Sequence, residues 1–135
     1  MSEIGDIIHE KCLAFGDRVI KLNDYLLSNA AALHKNSIPV HLQAVATLAN
    51  QLLRSGTSIG ANNAEATSAI SKADFKSKSY IALKEARESL YWLDLLYRNH
   101  YLTDIQHHSL YSDCEELVKL LTHRCKKLDG RFNNE

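Results

Sequence analysis

From Leu42 to Ile70 the apolar or small residues recur at Leu42, Val45, Ala49, Leu52, Gly56, Ile59, Asn63, Ala66 and Ile70, alternating steps of three and four without a break. That period matches one face of an α-helix and no face of a strand, whose side chains alternate every second residue. A helix this long with one wet side must lay its stripe against other helices. Its second half is unusual, because Gly56, Gly60 and Ala64 stand one turn apart and form a ridge of small residues. A glycine costs about 1 kcal/mol relative to alanine inside a helix. An offsetting contact is therefore expected, with a neighbouring helix closer than the usual spacing of about 8–10 Å. A phosphate-cradling loop is the competing reading, but no strand precedes the glycines and no Gly-Lys-Ser/Thr follows them. Arg54, Ser58, Asn62, Asn63 and Glu65 lie in the same stretch, so the contact is expected to be partly polar. Asn63 takes a stripe position: either it is buried and sets register, or it sits partly wet at the bundle edge.

The flanking segments carry the same period. Ile8, Cys12, Phe15, Val19, Leu22, Leu26, Ala30 and Leu33 predict a first helix, closed by His34 to Ser37, with Ser37 and Pro39 opening the second. Ser71-Lys72-Ala73-Asp74 is a capping signature that starts a third helix, with Phe75, Ser79, Ala82, Ala86, Ser89, Leu93 and Leu96 as its seam. Thr103-Asp104-Ile105-Gln106 starts a fourth, with Tyr111, Cys114, Val118, Leu121, Cys125 and Leu128 inward and Gly130 as its stop. The helices fall over about 4–33, 39–70, 72–99 and 104–129 of one domain spanning residues 1–135. Short connections make consecutive helices antiparallel. The fold class is all-α, an antiparallel up-down-up-down four-helix bundle.

Charge and cysteine usage narrow the class of function. Sixteen basic and sixteen acidic residues cancel, which is not the balance of a bulk nucleic-acid binder and leaves room only for a local basic patch. Cys12, Cys114 and Cys125 are odd in number and far apart, as expected of reduced thiols in a cytoplasmic protein. The amino terminus MSEIGDIIHEK has no export signal, and no apolar run is long enough for a membrane span.

Catalytic constellations are not apparent. A di-iron bundle needs Glu-x-x-His motifs, and none occurs. Asp104 and His107 make only a lone pair of ligand types, so no metal or other cofactor is expected. Arg54, Glu65, Lys84, Glu85 and Glu88 are expected to form a buried ionic network that specifies helix contact or a subunit interface. Two basic groups are candidates for nucleic acid. One is Lys72, Lys76 and Lys78 at the start of the third helix; the other is Lys119, His123, Arg124, Lys126 and Lys127 on the fourth. Either is a solvated helix face or a binding surface.

The run Arg54-Ser55-Gly56-Thr57-Ser58-Ile59-Gly60-Ala61-Asn62, followed by Glu65-Ala66, Ser71, Asp74-Phe75 and Ile81-Ala82-Leu83-Lys84-Glu85-Ala86, resembles the bacterial four-helix-bundle family named for 23S rRNA intervening sequences. The resemblance covers nearly the whole chain. It implies a left-handed bundle that assembles with itself into a pentameric ring. A distant relative, the accessory protein of diversity-generating retroelements, is a pentamer that binds nucleic acid and a reverse transcriptase. Asn63 stands where that family usually carries an apolar residue, and the neutral charge differs from the basic retroelement relative. The expectation is a non-enzymatic homo-oligomer that binds RNA or a nucleoprotein through Lys119, Arg124, Lys126 and Lys127. The alternative is a protein-interaction module presenting Tyr97 and Tyr101.

Overall fold

Capping chemistry sets where the chain reverses. Ser71 Oγ accepts from the Asp74 backbone N–H at 3.0 Å, and the Asp74 carboxylate in turn accepts from the N–H of Ile70. Thr103 and Gln106 form a complete capping box, each side chain accepting from the other's backbone N–H. Gly130 closes the last helix with a φ of 74°, a left-handed conformation that glycine adopts without strain.

The computed structural model describes the backbone of residues 2–33 and 40–130, and the side-chain surroundings of 2–29 and 43–130. It contains helices α1 (Glu3–Leu33), α2 (Val40–Thr67), α3 (Lys72–Arg98) and α4 (Asp104–Leu128). Neighbours around the bundle follow chain order, with α4 closing on α1 through the slimmest contact and the diagonal pairs apart. The arrangement is the expected all-α four-helix bundle. The expected closure at His34–Ser37, the cap at Ser37 and Pro39, and the packing of Ala30, Leu33 and Leu42 lie outside the described residues.

The core collects the predicted stripes. Ile8, Cys12, Phe15 and Val19 from α1 meet Val45, Ala49, Leu52 and Ile59 from α2, with Ala82, Ala86, Leu93 and Leu96 from α3 and Cys114, Leu121 and Cys125 from α4. The small ridge faces α1 of the same chain. A Cβ placed on Gly56 would meet the Val19 methyls at 3.0 and 3.1 Å, and one on Gly60 would meet Cys12 Cβ at 3.2 Å. Both glycines therefore sit at a close approach of α1 and α2, tight enough that a methyl there would make the facing side chain give way.

Three details differ from the sequence pattern. Ile70 is 94% exposed instead of joining the α2 stripe. The helix stops at Thr67, where Thr67 Oγ1 bonds back to the Ala64 carbonyl and Ser68 and Ala69 make tightened bonds to the carbonyls of Glu65 and Ala66. Ala64 is exposed, so the close approach ends at Gly60. On α4 the buried positions include Leu110 and Leu117, while Tyr111 and Val118 are half-buried.

A cation-lined cavity at one end of the bundle

Alternating helix direction brings the start of α1, the end of α2, the start of α3 and the end of α4 to one end of the molecule. There they surround an open cavity of about 980 Å³. Its described lining carries Lys72, Arg124, Lys127 and His123, with Ile4, Phe75, Leu120 and Leu128 as apolar wall, and includes no Asp or Glu. Two helix N-termini and two C-termini meet here, so the macrodipoles oppose one another. The positive character comes from the side chains.

Arg124 is the centre of this arrangement. Its Nη1 donates to Asn63 Oδ1 at 2.7 Å, and its guanidinium carbon lies 5.3 Å from the Phe75 ring centroid. Because a guanidinium only donates, the Asn63 amide must turn its oxygen toward it. Asn63 is fully buried, and its Nδ2 has no partner among the described residues, nor has the equally buried Ser79 hydroxyl. Of the two environments the sequence allowed for Asn63, the structure has the buried one. Burial lowers the Arg124 pKa from its ordinary value, while the nearby Cys12 and Cys125 thiols oppose that shift. No carboxylate pairs with Arg124 among the described residues.

The other basic candidates divide into compensated and uncompensated groups. Lys76 pairs with Asp129 at 2.7 Å, Lys78 with Glu65 at 2.9 Å, and Lys119 more loosely with Glu115 at 3.6 Å. Asp129 also accepts from the Tyr80 hydroxyl. Lys72, Lys126 and Lys127 are exposed and make no ion pair among the described residues. Lys72 and Lys127, far apart in the chain, share the cavity. Arg124 turns inward, so the α4 stripe divides between cavity and outer surface.

The expected buried ionic network is instead open to solvent and smaller. Arg54, with its side chain 48% exposed, reaches Glu85 at 3.3 Å and also pairs with Glu88, which accepts from Trp92 Nε1 at 3.1 Å. Glu65 belongs to Lys78, and Lys84 is exposed with no ion pair among the described residues. A solvated position costs these charges little, which is why the helices leave them at the rim. Ser58 and Asn62 are half-buried and joined locally, Asn62 Nδ2 donating to the Ser58 carbonyl at 2.9 Å. The sequence did not single out Ser55, whose hydroxyl meets that of Ser89 at 2.8 Å in a fully buried pair between α2 and α3.

Elsewhere, His107 is bound to Asp94 at 2.9 Å and stacks on Tyr97 at 4.2 Å, while the Tyr97 hydroxyl donates to Asp104. That Tyr97 face is therefore occupied within the chain. Among the described residues no group of three or more metal-ligating side chains converges, and no helix is long and apolar enough to cross a membrane.

A family model described as 23S rRNA-intervening sequence protein matches residues 11–123. The chain is also similar to a protein of unknown function from the S23 ribosomal protein family of Bacteroides thetaiotaomicron VPI-5482, known from a crystal structure. The two are 40% identical with a TM-score of 0.76, over 91% of this chain and 98% of that one. No curated protein matches.

Proposed function

The chain belongs to the 23S rRNA-intervening sequence protein family, and from that premise we propose that it is a non-enzymatic, oligomeric scaffold, a pentamer, that binds RNA or a nucleoprotein. The observation that carries the reading is the gathering of Lys72, Arg124 and Lys127 at one bundle end, with no carboxylate in the described lining, and Lys126 exposed in the last turn of α4. Phosphodiesters supply the countercharge that the chain leaves out there. A ring repeats this modest patch once per subunit, so a chain of zero net charge still offers a strongly positive rim. Self-association is supported by Leu13 and Ile20, two turns apart on the outward side of α1 and 52% and 46% exposed.

Solution mass by light scattering, followed by RNA binding across a salt series on the same sample, tests this. A pentamer is expected, with log affinity falling by about 0.7 per phosphate contact for each unit of log salt. Lys72→Gln, Lys126→Gln and Lys127→Gln should each reduce that slope by about one contact. Salt-independent binding contradicts the scaffold reading. A pentamer without RNA affinity favours the protein-interaction module. A monomer removes the ring.

A further inference from the structure

Arg124 is half-buried and carries five N–H donors, for which Asn63 Oδ1 is the only hydrogen-bond acceptor found among the described residues. Asn63 and the Phe75 ring hold the guanidinium plane from two sides. A fixed cation facing a cavity without a carboxylate is an incomplete ion pair, and desolvation makes its missing partner valuable. Lys72 and Lys127, both exposed, add two ammonium groups to the lining from the neighbouring helices α3 and α4. Three cations exceed what one carboxylate needs and suit a phosphate monoester, which carries a charge of about −1.5 to −2 at neutral pH. Ile4, Phe75, Leu120 and Leu128 give the same lining an apolar part, and Ser2, Thr67, Ser71 and His123 a neutral polar one. At about 980 Å³ the space is at the upper end of the range for small-ligand sites.

We propose that this cavity binds a phosphate monoester with an apolar or ring-bearing body of nucleotide size. Arg124 receives the phosphate through its planar fork, Lys72 and Lys127 close on the remaining oxygens, and the body rests against Phe75 and Leu120. The chemistry is shared by a free nucleotide and by the 5′-phosphate of an RNA strand. The site does not depend on recognition of internal phosphodiesters.

Calorimetric titration of the full chain with AMP, adenosine and inorganic phosphate tests the assignment. AMP is expected to bind at least about tenfold more tightly than adenosine, because only AMP supplies the charge-assisted bonds. Arg124→Lys keeps the charge but loses the fork, and should weaken AMP by about tenfold. Since Arg124 also supports buried Asn63, the exposed Lys72→Gln and Lys127→Gln variants are the cleaner probes. Each should weaken AMP several-fold with an unchanged thermal melt. Equal affinity for AMP and adenosine, absence of AMP binding, or AMP binding indifferent to both lysine variants would each overturn the proposal. Short RNAs with 5′-phosphate or 5′-hydroxyl ends separate the sources. A preference for the phosphate end with displacement by AMP assigns the site to strand ends; AMP binding without that preference assigns it to free nucleotides. RNA binding that ignores the 5′ end, with no AMP binding, would preserve the scaffold reading and sink this one.

Discussion

Arg124 Nη1 donates to Asn63 Oδ1 at 2.7 Å across the diagonal of the bundle, joining α4 to α2, helices that are not otherwise neighbours. An asparagine in the core costs free energy unless its polar atoms are satisfied. Here one of them is satisfied by a cation that in turn looks into the end cavity. The pair thus links core register to the electrostatics of the candidate site.

Truncating one partner should be worse than replacing both. Asn63→Ala leaves the half-buried guanidinium without its acceptor and should cost about 1–3 kcal/mol in urea unfolding. The double variant Asn63→Leu/Arg124→Met removes the polar requirement from both sides. It should be less destabilised than the sum of its single changes, with a coupling of about 0.5–3 kcal/mol. Strict additivity would mean that the hydrogen bond contributes nothing.

The glycines of α1 and α2 should respond oppositely to alanine. Nothing lies within 4 Å of a Cβ on Gly16, so Gly16→Ala is expected to raise stability by about 0.5–1 kcal/mol through helix propensity. At Gly56 the new methyl meets both Val19 methyls at 3.0 and 3.1 Å and the Phe15 ring at 3.4 Å. Val19 is β-branched and stiff at χ1 in a helix, so it yields poorly, and Gly56→Ala should destabilise by about 1–3 kcal/mol. Thermal melts of both variants decide; stabilisation at Gly56 would show that α1 can move away from α2.

Alkaline pH should weaken the fold through its thiols. Burial pushes the Cys12 thiol from 9.0 up to about 11, against a lowering by Arg124, and pushes Cys114 up to about 12. Both folded values exceed the unfolded one, so the folded chain holds more protons once the pH passes the ordinary thiol range. Stability from these groups is complete below about pH 9 and falls until the folded thiols themselves ionise near 11 to 12. The slope is roughly 1 kcal/mol per pH unit for each thiol. Urea midpoints at pH 8, 9 and 10 should drop less in Cys12→Ala than in the parent; parallel profiles would argue against the shift.

The rim pairs of Arg54 should contribute little. With its side chain 48% exposed, Arg54 is expected to lose no more than about 1 kcal/mol on change to alanine, and less in high salt. If light scattering of Arg54→Ala instead shows a reduced mass, the pairs with Glu85 and Glu88 serve assembly and not the single chain.

The spacing of apolar residues was sufficient to place four helices, because a 3.6-residue period leaves only one face able to leave water. Ser71, Thr103 and Gly130 marked helix ends correctly for a similarly local reason: each satisfies or releases backbone groups within four residues of itself. Gly56 and Gly60 announced a close contact through their cost, although the partner face, Val19 and Cys12, came only with the fold. Ile70 shows where periodicity overreaches, since short-range hydrogen bonds ended α2 before the pattern did. Charge was the least legible property. Lys76 and Lys78 carry the same formal charge as Lys72 and Lys127, yet tertiary placement gives the first two carboxylate partners and leaves the last two around a cavity. The sequence by itself determined helices and stripes, which depend on neighbours three and four residues apart. The tertiary structure alone decided which cations lack a countercharge, because that depends on residues as distant in the chain as Asn63 and Arg124 meeting at one point in space.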